Sequence, residues 1–96
     1  MGTGPSGPFL ELAGIERTGN YRVIDNAVPP DTYCHAPHAH EYSEAYYVLT
    51  GSFDVFVNGK ALHAETGAFV FIPARAEHNW RTGPTGGRKL SFLVWP

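Results

Sequence analysis

Residues 35–51, HAPHAHEYSEAYYVLTG, place three histidines and two glutamates directly before an apolar segment. Alternate residues of an extended chain share one face, so His38 and His40 point the same way. Glu44 has the same parity at the start of the apolar segment. Two imidazoles and a carboxylate on one face are ligands that suit a divalent transition metal. Surface loops carry the same set without binding metal, so this stretch alone leaves both interpretations open.

A second segment, GAFVFIPARAEHNW at residues 67–80, supplies another imidazole. It contains a glycine turn, an apolar strand, a proline that ends the strand, and then His78. Two separate strands can place His78 opposite the first cluster. A third histidine beside the first two favours the metal site over the solvent-exposed loop.

The segments that must position these residues are predicted to be strands. Short runs rich in aromatic and β-branched residues lie between glycines and prolines, a pattern typical of strands. The predicted strands are 21–25, 45–50, 53–57, 60–64, 68–72, 78–82 and 89–95. Asn58-Gly59 predicts a two-residue hairpin turn between the third and fourth. Seven or eight short strands without a helical pattern predict an all-β sandwich or small barrel.

Composition narrows the classes of function. A chain of 96 residues with one cysteine, Cys34, forms one domain without a disulfide, so a metal or a partner subunit is expected to support its small core. The formal charge of −2, without a basic stripe, argues against nucleic acid and anionic membranes as partners. We expect a flexible arm over residues 1–8, a single domain over 9–96, and a cytoplasmic location, because the start lacks signal-peptide features.

The two histidine segments together resemble the cupin superfamily. Its first motif is G-x5-H-x-H-x(3,4)-E-x6-G, and its second is G-x5-P-x-G-x2-H-x3-N. Residues that match at the family's spacing are His38, His40, Glu44 and Gly51 in the first motif, and Gly67, Pro73 and His78 in the second. The departures are Thr32 at the opening glycine, Arg75 at the inner glycine and Thr82 at the closing asparagine. The departures affect turn or strand positions, not ligands.

The resemblance implies a double-stranded β-helix, the jelly-roll barrel of cupins. It also implies a mononuclear site in which His38, His40, Glu44 and His78 bind one divalent transition metal per chain. Without sulfur, this ligand set suits Fe, Mn, Ni, Co, Cu or Zn and does not choose among them. Four protein ligands leave one or two positions for water, O₂ or substrate, as in a catalytic site.

Two aromatic residues share the parity of the expected ligands. Tyr46 lies two residues after Glu44, and Trp80 lies two after His78. They are interpreted either as walls of a substrate pocket, with the Tyr46 hydroxyl as donor or proton relay, or as ordinary core, and core packing with some pocket exposure is favoured. His35 and His63 are expected on the surface, and Cys34 is expected to be a small buried residue or a pocket thiol.

For function, the resemblance to quercetinase-like dioxygenases favours an enzyme that acts on a small unsaturated substrate with O₂ at the metal. Glu44 would then serve as both ligand and general base. The alternatives are a non-oxidative Lewis-acid cupin, such as a polyketide cyclase, isomerase or decarboxylase, and a non-enzymatic protein that binds a small ligand. A homodimer is expected, in which the segment 10–25 adds a strand to a neighbour's sheet.

Overall fold

The computed structural model describes residues 9–13, 20–34 and 36–96, and strands dominate this part of the chain. The six strands are β1 (Phe9–Ala13), β2 (Tyr21–Val28), β3 (Ser43–Val57), β4 (Lys60–Glu65), β5 (Phe69–Ile72) and β6 (His78–Val94). The expected arm over residues 1–8 and the expected surface residue His35 lie outside the described residues. Within the described ranges, no helix is long and apolar enough to cross a membrane.

The sheet is antiparallel throughout and is built around two long strands. Its order is β1-β2-β6-β3-β4, and β5 also pairs with β3. The first half of β3 pairs with β5 and with the end of β6, whereas its second half pairs with β4 and with the start of β6. Because β3 and β6 each take part in two separate stretches of pairing, the sheet curves around one common interior. The predicted all-β jelly roll is confirmed.

Glycines explain why the structure has fewer and longer strands than the sequence predicts. The predicted strands 45–50 and 53–57 are both part of β3, and 78–82 and 89–95 both contribute to β6. At the bend of β3, Gly51 has a φ of 72° and the register shifts on both sides of it. A Cβ on Gly51 would lie 2.1 Å from the backbone oxygen of Gly86, so only glycine permits this close approach. The glycines bend the strands without ending them.

The core lies inside the jelly roll and is filled by alternate residues of β3 and β5. Val48, Phe53, Val55 and Ile72 are fully buried, and each such side chain contributes about 1.5–3 kcal/mol by leaving water. The turn at 58–59 has positive φ at both residues, as the predicted Asn-Gly hairpin requires. This hairpin aligns β4 with the second half of β3.

The N-terminal strand β1 pairs with β2 of its own chain, from Phe9 opposite Asn26 to Ala13 opposite Val23. The pairing of the segment 10–25 with a neighbour's sheet, and the homodimer itself, stay predictions.

Candidate metal centre

The three histidines of the motifs come from two places in the fold. His38 and His40 lie in the loop between β2 and β3, and His78 is the first residue of β6. The loop is not the regular extended strand that we expected from the alternation of residues, but His38 forms an isolated bridge to His78. The backbone N–H of each donates to the carbonyl of the other, at 3.0 and 2.9 Å. This pair of bonds holds the loop against β6 and sets the two imidazoles side by side.

The histidine side chains converge. One ring nitrogen from each of His38, His40 and His78 lies within 4.8 Å of the other two. His78 is buried, His40 is partly buried and His38 is exposed. The cluster therefore has a buried side on the interior and an open side toward solvent, which gives an ion both fixed ligands and an approach path.

Glu44, the second residue of β3, lies next to the histidine cluster. Its Oε1 lies 3.1 Å from Nε2 of His40 and 3.0 Å from Nε2 of His78. The latter nitrogen is buried and makes no well-directed hydrogen bond, despite the short distance. A buried nitrogen without a directed partner, beside a carboxylate oxygen, is an arrangement that a bound cation would stabilise.

Backbone carbonyls fix which nitrogen of each ring can bind a metal. Nδ1 of His78 is 2.9 Å from the carbonyl oxygen of Ala76, and Nδ1 of His40 is 3.0 Å from that of Tyr42. His38 has the same relation to the carbonyl two residues before it, at 3.4 Å. Because a carbonyl oxygen only accepts, each Nδ1 must carry the hydrogen, and Nε2 of the neutral ring keeps its lone pair. The residues present thus fit a metal bound through three Nε2 atoms and a carboxylate.

Glu44 and His78 each shift the pKa of the other toward the charged form. Burial acts to raise the pKa of Glu44, but His78 and the positive charge of Lys89 lower it overall. Burial acts to lower the pKa of His78, but the Glu44 carboxylate and the Ala76 carbonyl raise it overall. Glu44 therefore remains an anion at neutral pH, as a metal ligand requires.

Tyr46 and Trp80 both face the interior beside the cluster. Tyr46 is 2% exposed and Trp80 is half-buried, with its ring edge against Phe53 at a centroid distance of 5.7 Å. Burial and the Glu44 charge both raise the pKa of the Tyr46 hydroxyl. This hydroxyl therefore stays protonated and can donate a hydrogen bond. The positions are consistent with core packing at Tyr46 and partial exposure at Trp80.

The three departures from the cupin motifs have a structural explanation. Thr32 and Thr82 are partners: the N–H of Thr32 donates to Oγ1 of Thr82 at 2.9 Å, and the N–H of Thr82 donates to the carbonyl of Thr32 at 2.9 Å. Arg75 has a φ of 68°, the conformation that the motif glycine would adopt without strain. Its exposed guanidinium pairs with Glu41 at 3.3 Å. None of the three removes a ligand.

Lys89 on β6 is an interior residue that the sequence did not lead us to expect there, and it is 2% exposed. Its ammonium donates to Oγ of Ser91 at 2.8 Å and lies 3.8 Å from the centroid of the Tyr46 ring. The alternation in KLSFLV could have indicated it, since Lys89, Ser91 and Leu93 share one parity. A lysine and a serine in such a strand are ordinarily assigned to solvent, and the structure places them inside.

Comparisons with known proteins agree with this fold. No curated protein matched the chain. The structure of KdgF from Halomonas sp. is similar with a TM-score of 0.81 at 17% identity, over 92% of this chain and 77% of that one. An RmlC-like cupin from Shewanella frigidimarina has a TM-score of 0.74 at 25% identity, over 80% and 68% of the two chains.

A third similar structure is described as that of the DMSP lyases RdDddP and RnDddQII. It has a TM-score of 0.76 at 27% identity over 90% of this chain, which spans only 46% of that one. The family model described as Cupin domain matches residues 27–95. This match includes every residue of the histidine cluster, the whole of β3 to β6 and the last two residues of β2. The chain therefore belongs to the cupin superfamily.

Proposed function

We propose that this cupin binds one divalent transition metal through His38, His40, Glu44 and His78 and is an enzyme acting on a small unsaturated organic substrate. The observation that carries the proposal is the orientation of the three imidazoles. Nδ1 of each ring faces a backbone carbonyl, Nε2 of His40 and of His78 lies beside Oε1 of Glu44, and one ring nitrogen of each of the three histidines lies within 4.8 Å of the others. A histidine cluster without a binding role would have no reason to repeat that arrangement three times.

We expect the reaction to be a dioxygenase-like one. A redox-active ion bound here would supply a position at which O₂ and an enol or catechol-like substrate meet. The chain's own residues bind and orient the substrate. Glu44 can take the proton of a substrate hydroxyl, Tyr46 can donate a hydrogen bond, and Trp80 offers a flat apolar wall.

The metal is tested by substitution and metal analysis. Replacing His38, His40 or His78 by alanine should abolish tight stoichiometric binding, measured by mass spectrometry after dialysis. Glu44→Gln should weaken binding less, because the amide oxygen remains a neutral donor. The control is His63→Ala, since His63 is exposed and pairs with surface carboxylates. If the alanine variants of the cluster still purify with one metal per chain, the site is wrong.

The metal should also stabilise the folded chain. An ion that binds only the folded state at a concentration of 1,000 times its Kd contributes about 4 kcal/mol. Wild-type protein should therefore show a metal-dependent rise in melting temperature that the alanine variants of the cluster lack.

The use of O₂ is tested by running turnover under nitrogen with a panel of enols and catechols. An oxygenase stops in the anaerobic chamber, and Glu44→Gln loses more turnover than metal. Unchanged anaerobic activity, together with activity on Zn(II), would contradict the oxygenase.

A non-oxidative Lewis-acid reaction is the second candidate, and one observation favours it. Among the similar structures, the one described as DMSP lyases has 27% identity to this chain, and a lyase reaction consumes no O₂. In that case Glu44 would act as a base on a carbon–hydrogen bond of the substrate. A cupin that binds its ligand without turnover is distinguished from both by product analysis.

We further propose a homodimer that buries the outer face of the sheet. Phe69 and Phe71 on β5 are 63% and 58% exposed. Tyr47, which is opposite Phe69 on β3, is itself exposed, and Leu90 and Phe92 of β6 continue this apolar face. A contiguous apolar face of this kind is typical of a protein interface. The same region of a second copy offers a surface of matching chemistry.

A further inference from the structure

Lys89 lies inside the jelly roll on the same face of the sheet as the metal cluster. Its strand neighbour is Val48, and Glu44, Tyr46 and Val48 alternate inward along β3. Ser91, two residues after Lys89, faces Tyr46. Lys89 and the histidine cluster therefore lie at different positions along the same interior, with Tyr46 between them.

The surroundings of the ammonium are aromatic. Nζ lies 3.8 Å from the ring centroid of Tyr46, 5.1 Å from that of Trp80 and 5.7 Å from that of Phe53. Cation–π contacts offset part of the cost of removing a charge from water, but no carboxylate among the described residues forms an ion pair with Lys89. A methionine would fill the same space without that cost. A lysine at such a position indicates a role beyond packing.

The ammonium also has unused hydrogen-bonding capacity. It carries three N–H donors, and within the described part of the chain its one hydrogen bond goes to Oγ of Ser91. Burial lowers the pKa of Lys89 to about 8, while the charge of Glu44 acts to raise it. The group is therefore still predominantly protonated at pH 7 and remains a donor.

The charges of a metal-loaded interior indicate what kind of group would pair with the Lys89 ammonium. A divalent ion and the Lys89 ammonium face a single carboxylate, Glu44, while the three histidines are neutral. The interior then carries an excess of positive charge that an anionic substrate would balance. The half-buried side chains of Cys34 and Trp80 mark where this region approaches solvent, and Cys34 is close enough to affect the pKa of Lys89.

We propose that Lys89 binds the carboxylate of the substrate, so that the substrate is a planar unsaturated organic acid. Its chelating hydroxyl or enol group lies toward the histidine cluster, and its carboxylate accepts a hydrogen bond from Nζ of Lys89. The aromatic rings of Tyr46 and Trp80 pack against the planar body between the two ends. This inference rests on the proposed function and adds the chemical class of the substrate.

The test compares acids with their neutral amides. Metal-loaded protein is titrated calorimetrically with 3,4-dihydroxybenzoate and 3,4-dihydroxybenzamide, which share the chelating catechol and differ in that a neutral amide replaces the carboxylate. Benzoate and benzamide, which lack the chelating hydroxyls, are titrated in parallel into the metal-free chain. The variants are Lys89→Met and, as the control, Lys60→Met at an exposed position of β4.

Wild-type and Lys60→Met protein should bind each acid at least about tenfold more tightly than its amide. Lys89→Met should bind acid and amide equally while keeping its metal and its affinity for the amide. Equal affinities in wild-type protein, or a preference that survives in Lys89→Met, would overturn the inference and leave the metal site standing. If the wild-type protein binds no metal, the proposed function is overturned. The titration of benzoate and benzamide into the metal-free chain would still decide the role of Lys89.

Discussion

Replacing Lys89 by methionine removes a buried ammonium, and the consequence for stability depends on pH in a defined direction. Burial lowers the pKa of Lys89 from 10.5 to about 8 in the folded chain. Between these values the unfolded chain binds more protons than the folded chain, so the free energy of unfolding rises with pH. The full difference corresponds to roughly 3 kcal/mol, of which about 2 kcal/mol falls between pH 8 and 9.5.

Lys89→Met lacks this rise. We expect the variant to be more stable than wild type at pH 7 by about 1–3 kcal/mol, because an apolar group of similar volume replaces a buried charge. The lost hydrogen bond to Ser91 and the lost contact with the Tyr46 ring reduce the gain. The sharper expectation is that the difference between the two proteins narrows by about 2 kcal/mol from pH 8 to 9.5.

The assay is urea unfolding followed by circular dichroism at half-unit steps from pH 7 to 9.5. Lys60→Met serves as the control, since its exposed ammonium should leave the pH dependence of wild type intact. Tyrosines of the unfolded chain ionise near pH 10, which sets the upper limit of the range. Parallel stability curves for wild type and Lys89→Met over this range would refute the reasoning, because they would mean that Lys89 does not titrate there.

Gly51→Ala should destabilise the chain by about 3 kcal/mol or more, because its Cβ meets a backbone oxygen at 2.1 Å. Gly59→Ala shares a positive φ but meets nothing within 4 Å, so about 1 kcal/mol is expected; equal losses in thermal unfolding would contradict the steric reason. The double variant Phe69→Ser and Phe71→Ser should be monomeric by light scattering where wild type is dimeric, and a wild-type monomer at micromolar concentration would exclude the dimer. Tyr46→Phe should keep the metal content and lower turnover, and unchanged turnover would remove the hydroxyl from the chemistry.

Much of the candidate site was predictable because its residues lie either close together in the chain or at the spacing of a known motif. His38 and His40 sit close in the chain, and the motif spacing alone indicated His78 as their distant partner. The Asn58-Gly59 turn was also predictable, since its positive φ angles are a local property of those residue types. The lengths of β3 and β6 were not, because glycine marks both the ends of strands and bends within them.

The sequence by itself determined the fold class, through its alternating β-rich segments, and the candidate metal ligands, through their types and spacing. Tertiary structure alone decided which face of the last strand lies inside. In β6, Lys89 and Ser91 face the interior, while Leu90 and Phe92 face outward. A period of two shows only that these sets lie on opposite faces, and apolar residues are normally assigned to the core. The assignment reverses here because the register of β6 is set by its pairing with β3, whose inward face carries Glu44.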